Sequence, residues 1–567
     1  MASPFGMPDE FVQGFFKSGQ NLLQGFASRP DITASPLVKA QVHYWEQQMA
    51  LWMGMLASAA NGKRPEPVVA AERGDRRFHA EDWRDNPWYS LLKQTYLLNA
   101  RLLGDMVESA DLDEKEKHKL RFFTRQFIDS MSPANFPATN PEALKLALET
   151  KGNSIRAGFA NLLEDLRRER IAITDENAFE VGCNVAVSKG AVVFENELFQ
   201  LIQYAPLTEQ VSTRPLLIVP PCINKFYILD LQPENSFVRF ACERELTVFL
   251  VSWRNPQAEL GQTTWDDYIE SGAIKAIELA LSISGADKVN VLGWCVGGTI
   301  LSSALAVLRA RGDKTVSSVT LLTTMLDFRD PGDLGVFIDE QGVSQREQSI
   351  GKEGIYPGKE LGFVFQTLRA NDLIWPYVVS NYLKGKSPEA FDLLYWNADG
   401  TNLPGPMYAW YLRNMYLENN LCQPNRLTMC DTRVDLGRID MPCYVLATQE
   451  DHIVPWRAAY RTTQLVGGRT QFVLGASGHI AGVINPASKN KRSYWIDGAL
   501  GDDPEQWLAS AQSVPGSWWT HWIKWLKPQA GRQIPARRRL GDAKHKAIEP
   551  APGRYVKARA DSLTETA

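Results

Sequence analysis

The sequence predicts an α/β protein with a mostly parallel sheet, preceded by a separate, mostly helical domain. In residues 201–567, runs typical of strands alternate with runs typical of helices, whereas residues 1–200 show helical segments without a clear sheet pattern. A chain of 567 residues also exceeds the usual size of one hydrophobic core. We therefore expect a helical domain at 1–200 and an α/β domain at 201–567.

The N-terminal domain is expected to consist of helices separated by breaks rich in proline, glycine and asparagine. Helical segments are predicted at 36–59, 87–108, 113–132 and 141–170. The stretch 60–77 predicts a linker or loop between the first two helices.

The second domain is predicted from strand-like runs at 192–195, 198–204, 216–219, 247–251, 289–292, 319–323, 443–447 and 471–474. A helix is predicted at 265–281, because Thr264 can cap it and two acidic residues occupy its first turn. The alternation lapses at about 328–438, where aromatic and turn residues are frequent, so we expect an insertion there. A polar tail is expected at about 528–567.

Cys295 lies between the strand predicted at 289–292 and a helix-like run at 299–308. The surrounding pattern is G-x-S-x-G with cysteine in place of serine, which is the nucleophile elbow of α/β-hydrolases. Gly293 and Gly297 leave room for the sharp turn. A thiolate at such an elbow favours acyl-thioester exchange, and the alternative is a buried structural cysteine. The sequence therefore predicts an α/β-hydrolase fold whose insertion forms a cap over the active site.

The base and the acid that a nucleophile needs follow two late strands. In α/β-hydrolases the acid and then the histidine come after the nucleophile in the chain. Asp451 and His479 each follow one of the last two predicted strands. We therefore predict a triad of Cys295, His479 and Asp451. Glu450 is the rival acid, and a helix-capping Asp451 with a backbone-bonded His479 is the structural alternative.

Composition narrows the classes of function. A net charge of −4 gives no reason to expect nucleic acid as a partner. The seven cysteines are scattered without metal-ligand spacing, so we expect a reducing compartment and no metal. The N-terminus lacks the pattern of a signal peptide, and the longest apolar stretch, 49–60, is too short to span a bilayer. We expect a cytoplasmic protein without a transmembrane segment.

Several longer stretches match one family of bacterial enzymes. They are DRRF at 75–78, NPW at 86–88, SPANFP at 132–137, PPCINKFYILDL at 220–231, EDHIVPW at 450–456, GHIAGVINP at 478–486 and EPAPGRYVK at 549–557. Together with the cysteine box at 293–297, they resemble the class I polyhydroxyalkanoate synthases, which are single-subunit polyester polymerases. No triad position departs from that pattern.

The resemblance implies transfer of (R)-3-hydroxyacyl units, 3-hydroxybutyryl above all, from CoA onto a growing polyester chain. It implies no cofactor, since CoA arrives as part of the substrate and leaves as a product. A homodimer at the surface of an intracellular polyester granule is also implied, with granule-associated proteins as partners and the N-terminal domain making such contacts. The rival interpretations are a cysteine-dependent esterase or depolymerase and a non-catalytic granule-coat protein.

Residues around the triad receive candidate roles. Elbow geometry makes the Val296 N–H one oxyanion donor, and Ile223 or a neighbour in 221–224 is the expected second donor. Asn224 and His452 are candidates for contact with the thioester or pantetheine, with a structural role equally open. Arg369 is the candidate for the CoA phosphates, and an ordinary surface arginine is the alternative.

Two points of chemistry stay open at this level. In the family the aspartate acts chiefly on the 3-hydroxyl of the next unit, whereas in the simpler triad Asp451 only orients His479. Cys222 has no elbow, so we expect a wall residue there and not a second nucleophile.

Overall fold

The computed structural model describes residues 36–61, 66–72 and 74–560. These residues divide into two compact units. The first contains the described residues through Ile173 together with Arg369–Glu389, and the second contains Thr174–Leu368 and the described residues from Ala390 onward. The boundary expected near residue 200 thus falls at 173, and part of the expected insertion groups with the first unit.

The secondary structure follows the chain in this order. The α-helices are α1 Pro36–Asn61, α2 Asp82–Asp85, α3 Pro87–Glu108, α4 Glu114–Ser130, α5 Pro141–Glu149, α6 Asn153–Arg167, α7 Phe237–Glu243, α8 Trp265–Asp267, α9 Lys275–Ser284, α10 Val296–Ala310, α11 Glu340–Ile350, α12 Gly358–Leu368, α13 Ala370–Leu373, α14 Trp375–Tyr377, α15 Asp392–Asn397, α16 Gly405–Tyr411, α17 Trp456–Tyr460, α18 Thr462–Leu465, α19 Pro504–Ser510 and α20 Trp519–Leu526. The strands are β1 Gly190–Glu195, β2 Phe199–Tyr204, β3 Gln210–Ser212, β4 Leu216–Val219, β5 Val248–Trp253, β6 Val289–Trp294, β7 Val316–Leu322, β8 Ile355–Tyr356, β9 Leu403–Pro404, β10 Thr428–Met429, β11 Thr432–Arg433, β12 Cys443–Thr448, β13 Thr470–Gly475, β14 Ser493–Ile496, β15 Gln512–Pro515, β16 Gln533–Pro535 and β17 Glu549–Pro550.

The first unit is helical, as the sequence predicts. Helices α1, α3 and α4 match predicted segments closely. The segment predicted as one helix at 141–170 is two helices, because Gly152 adopts a φ of +83° that interrupts the right-handed turns. Arg369–Glu389 packs on α6, where Asn161 Nδ2 donates to the Asn381 carbonyl at 3.0 Å. Gly158 permits this approach, since a Cβ there would meet the Tyr382 carbonyl.

One large sheet forms the centre of the second unit. Its strand order is β15-β14-β13-β12-β7-β6-β4-β5-β2-β1-β17. The central strands from β5 to β13 run parallel, and antiparallel strands complete both edges. Alternate side chains enter two apolar clusters, with Leu217 and Val219 in one and Leu216 and Ile218 in the other. Each predicted strand corresponds to a strand of this sheet.

The segment expected as a polar tail is integrated into the second unit over its described part. Strand β16 pairs with β3, and β17 pairs with β1 at the edge of the large sheet. Within the described residues, no helix has the length and apolar character needed to cross a bilayer.

Candidate active site

Cys295 lies at the sharp turn between β6 and α10, the strand–turn–helix context that the sequence predicts. Its φ is +52°, in the left-handed region that non-glycine residues rarely adopt. Its N–H donates to the Leu322 carbonyl at 2.9 Å, which ties the turn to β7. A Cβ at Gly293 would lie 2.5 Å from the Gly298 Cα, and one at Gly297 would meet the Pro220 carbonyl. The flanking glycines are therefore required by close backbone contacts.

Asp451 and His479 form a buried pair at the ends of β12 and β13. His479 Nδ1 lies 2.7 Å from Asp451 Oδ2. The other carboxylate oxygen, Oδ1, accepts from the N–H groups of Ile453 at 2.9 Å and Val454 at 2.8 Å. Glu450, the rival acid, is exposed. The contact with the histidine is thus made by Asp451.

The Cys295 side chain also acts on the His479 ring, and Nε2 is the ring nitrogen left for it because Nδ1 contacts Asp451. Burial lowers the pKa of His479, but the charges of Asp451 and Cys295 raise it more, and the net effect raises this pKa from 6.5 to about 10. A ring with this raised pKa can hold a proton taken from a neighbouring thiol, which is how a histidine activates a cysteine nucleophile.

We expect the stabilisation by His479 to depend on pH. Because its folded pKa is raised to about 10 from 6.5, the protonated ring stabilises the fold fully below the lower value and progressively less toward the upper one. The free energies of unfolding of wild type and His479→Gln should differ by about 1–4 kcal/mol at about pH 6 and converge toward about pH 10. Urea titrations measure this, with His43→Gln as the exposed control. A difference that grows with pH would contradict the raised pKa.

A small apolar cavity of about 30 Å³ lies beside Cys295. It is lined by Ile223, Cys295, Val296, Thr299, Met325, Leu334, Phe365, Tyr411, Tyr416, Ile453 and Val454. Val296 and Ile223, the residues of the two predicted oxyanion donors, thus line the same cavity as Cys295. Val296 is the first residue of α10, where N–H groups have no acceptor within the helix. Several lining residues come from the expected insertion, which therefore forms a wall of the site as a cap does.

The remaining candidates lie in different surroundings. Asn224 forms an antiparallel bridge with Gly400, and His452 is half-buried beside Asp451. Arg369 belongs to the first unit, where its Nε donates to Asp372 Oδ2 at 2.8 Å. The substrate contacts assigned to Asn224, His452 and Arg369 stay predictions.

Cys222 is buried, and burial raises the pKa of its thiol to about 12. A thiol with that pKa stays protonated at neutral pH, so it lacks the thiolate that a nucleophile needs. Cys222 is not among the residues that line the cavity beside Cys295, and its role as a wall residue stays a prediction.

Sequence reasoning missed two tyrosines at the cavity. Tyr411 is buried and Tyr416 is half-buried, and burial raises the pKa of each hydroxyl. Their rings meet edge to face with centroids 5.4 Å apart. They lie where α16 continues into the π-helical segment Leu412–Leu417, whose wider turns shift the side-chain period. A search for a period of 3.6 residues therefore gives no signal for this pair.

No group of three or more His, Cys, Asp or Glu side chains in the described part of the chain is arranged to hold a metal ion. The expectation that the protein needs no cofactor stays a prediction.

Comparisons with known proteins identify relatives along nearly the whole chain. The profile of the poly-beta-hydroxybutyrate polymerase N-terminus matches residues 74–241, and that of the alpha/beta hydrolase fold matches residues 215–486. Poly(3-hydroxyalkanoate) polymerase subunit PhaC of Cupriavidus necator is 56% identical, covering 93% of this chain and 90% of its own. The PhaC subunit of Rhizobium meliloti is 40% identical over 92% of this chain and 86% of its own. Poly(3-hydroxyalkanoate) polymerase of Methylorubrum extorquens is 42% identical, with coverages of 92% and 87%.

Proposed function

The chain belongs to the poly(3-hydroxyalkanoate) polymerase family, and on this premise we propose that it builds polyester through a covalent thioester on Cys295. The substrate is a (R)-3-hydroxyacyl-CoA, with 3-hydroxybutyryl-CoA as the expected member. One observation carries the proposal: a cysteine on a nucleophile elbow acts on the buried His479 ring, whose Nδ1 lies 2.7 Å from Asp451 Oδ2.

The first half-reaction is acylation of Cys295. His479 accepts the thiol proton, and the thiolate attacks the carbonyl carbon of the CoA thioester. The negative oxygen that forms faces the N–H groups of Val296 and Ile223. The bond between the carbonyl carbon and the CoA sulfur then breaks, and CoA leaves with the proton from His479.

The second half-reaction lengthens the chain. The 3-hydroxyl of one unit attacks the carbonyl carbon of another that is held as a thioester, so an ester bond forms and a carbon–sulfur bond breaks. His479 accepts the hydroxyl proton and returns it to the departing sulfur. Asp451 either orients the ring for this transfer or acts on the hydroxyl itself.

The apolar lining of the cavity favours transfer to a hydroxyl over hydrolysis by water. Incubation of the protein with 3-hydroxybutyryl-CoA tests this function directly. A polymerase releases CoA and forms insoluble polyester, whereas an esterase or depolymerase of the same fold yields soluble hydroxy acid. A protein that releases no CoA would fit the non-catalytic coat role and contradict the proposal.

We further propose that the protein works as a homodimer in the cytoplasm, at the surface of a polyester granule, and that an apolar helix face contributes to that contact. Helix α6 exposes Ile155, Phe159, Leu163 and Leu166, with exposed fractions of 61%, 59%, 43% and 64%. Their spacing places them along one side of the helix. Contiguous exposed apolar side chains of this kind mark contacts with apolar phases or partners.

Phe159→Glu is expected to weaken granule association several-fold while leaving CoA release from soluble substrate unchanged, because a buried carboxylate is costly at an apolar surface. Ala160→Glu adds the same charge on α6 beside the apolar side chains and is the matched control. Sedimentation with artificial polyester particles measures the bound fraction. Equal binding of both variants and wild type would contradict a role for this face.

A further inference from the structure

The loop after β4 is paired with a segment of the insertion. Asn224 and Gly400 form an isolated antiparallel bridge. On one side of it, the Thr401 N–H donates to the Ile223 carbonyl at 2.9 Å. On the other side, Lys225 Nζ lies 3.1 Å from Asp399 Oδ1. Residues 223–225 and 399–401 thus form a short ladder, called here the loop ladder, next to the Cys295 cavity.

The Thr401 side chain makes a second set of contacts with the same loop. Its hydroxyl lies 2.7 Å from the Ile223 carbonyl and also contacts the Cys222 carbonyl. Thr401 is 3% exposed, so water does not compete for these carbonyls. The hydroxyl therefore bridges the two peptide groups that flank Ile223.

One of these peptide groups contains the expected oxyanion donor. The Cys222 carbonyl and the Ile223 N–H belong to the same planar peptide, and in the trans form they point in opposite directions. A hydroxyl that holds the carbonyl therefore also sets the direction of the N–H. Ile223 lines the cavity that contains Cys295, so a rotation of this peptide would turn the donor away from the reacting oxygen.

Buried charges hold the ladder in place. The side chains of Lys225 and Asp399 are 3% and 5% exposed, respectively. Lys225 Nζ also donates to the carbonyls of Val556 at 2.8 Å and Ala558 at 2.5 Å, and the Tyr227 hydroxyl donates to Asp399 Oδ2 at 2.9 Å. A buried ion pair with these extra hydrogen bonds has one favoured geometry. The C-terminal segment therefore takes part in fixing the loop.

We infer that Thr401 is a positioning residue, which aims the Ile223 N–H at the carbonyl oxygen of a thioester under attack by Cys295. The inference rests on the proposed acyl transfer through Cys295. Removal of the hydroxyl is expected to act on the transition state, because the oxyanion donor gains its charged partner only there.

Thr401→Val removes the hydroxyl and keeps the shape of the side chain. We expect the kcat for CoA release to fall about 10- to 100-fold with little change in KM, since loss of a whole donor costs about 100- to 1000-fold. Thr401→Ser keeps the hydroxyl and should restore most of the rate. Thr139→Val is the matched control, because that hydroxyl also donates to a backbone carbonyl at 2.7 Å, in the first unit.

Alkylation by iodoacetamide separates positioning from general damage. The Cys295 thiolate displaces iodide from a saturated carbon, so no oxyanion forms, and the rate should be the same in Thr401→Val and wild type. Wild-type turnover in the valine variant would overturn the inference, and so would a parallel loss of alkylation and turnover. Wild-type protein that stays active after Cys295 is alkylated would instead contradict the proposed function itself.

Discussion

Cys295→Ala is expected to abolish CoA release and polymer formation. The alanine variant has no group that can carry the acyl unit, and loss of a nucleophile in comparable triads costs about a million-fold in kcat. Cys295→Ser should leave only traces of activity, because an alkoxide is far harder to form at neutral pH than a thiolate. Continuous measurement of CoA release provides the comparison, with Cys183→Ala, an exposed thiol, as the control.

Of the two variants, Cys295→Ser gives the more specific test of the thiolate chemistry. The nearby ring has a raised pKa that suits an imidazolium–thiolate pair. Near-wild-type turnover of Cys295→Ser would contradict the thiolate chemistry. Full activity of Cys295→Ala would show that Cys295 takes no part in the reaction.

His479→Gln and Asp451→Asn are expected to cause the next largest losses in the rates of CoA release and polymer formation. Without the imidazole, proton transfer from the thiol and to the leaving group is lost, which costs about 100- to 10,000-fold. Asp451 Oδ2 lies 2.7 Å from His479 Nδ1, and Oδ1 accepts two backbone N–H groups. Because both oxygens are occupied, we expect Asp451 to act through the ring and Asp451→Asn to slow both half-reactions equally.

Two assays separate the steps. Single-turnover CoA release reports acylation, and steady-state polymerisation reports elongation. A larger loss in elongation than in acylation for Asp451→Asn would support a direct role on the 3-hydroxyl and contradict a purely orienting carboxylate.

The central strands could be predicted from the sequence because both faces of the sheet are covered. A buried parallel strand such as β4 is a continuous apolar run, which the sequence displays directly. Strands such as β15, at one edge of the large sheet, and β16, which pairs with β3, are short and largely exposed, so neither length nor alternation separates them from loops. The three triad candidates could be selected because each follows a predicted strand, and the structure places His479 Nδ1 2.7 Å from Asp451 Oδ2.

Other features depend on contacts between distant parts of the chain. The Thr401 hydroxyl meets the Ile223 carbonyl 178 positions away, and no local pattern marks a threonine for that contact. From the sequence alone, Lys225 would be expected on the surface as a charged residue. In the fold it is enclosed by Asp399 and by the carbonyls of Val556 and Ala558. The grouping of Arg369–Glu389 with the first unit likewise follows from packing on α6, not from its place within the insertion.

The central claim is that Cys295 carries the growing acyl group. Rapid mixing with 3-hydroxybutyryl-CoA, acid quench, trypsin digestion and mass spectrometry test it most directly. Residues 289–309 form one tryptic peptide, in which Cys295 is the only cysteine. We expect 3-hydroxybutyryl groups on this peptide in the wild type and none in Cys295→Ala. An acyl group on the peptide that carries Cys222, or continued turnover with residues 289–309 unmodified, would contradict the claim.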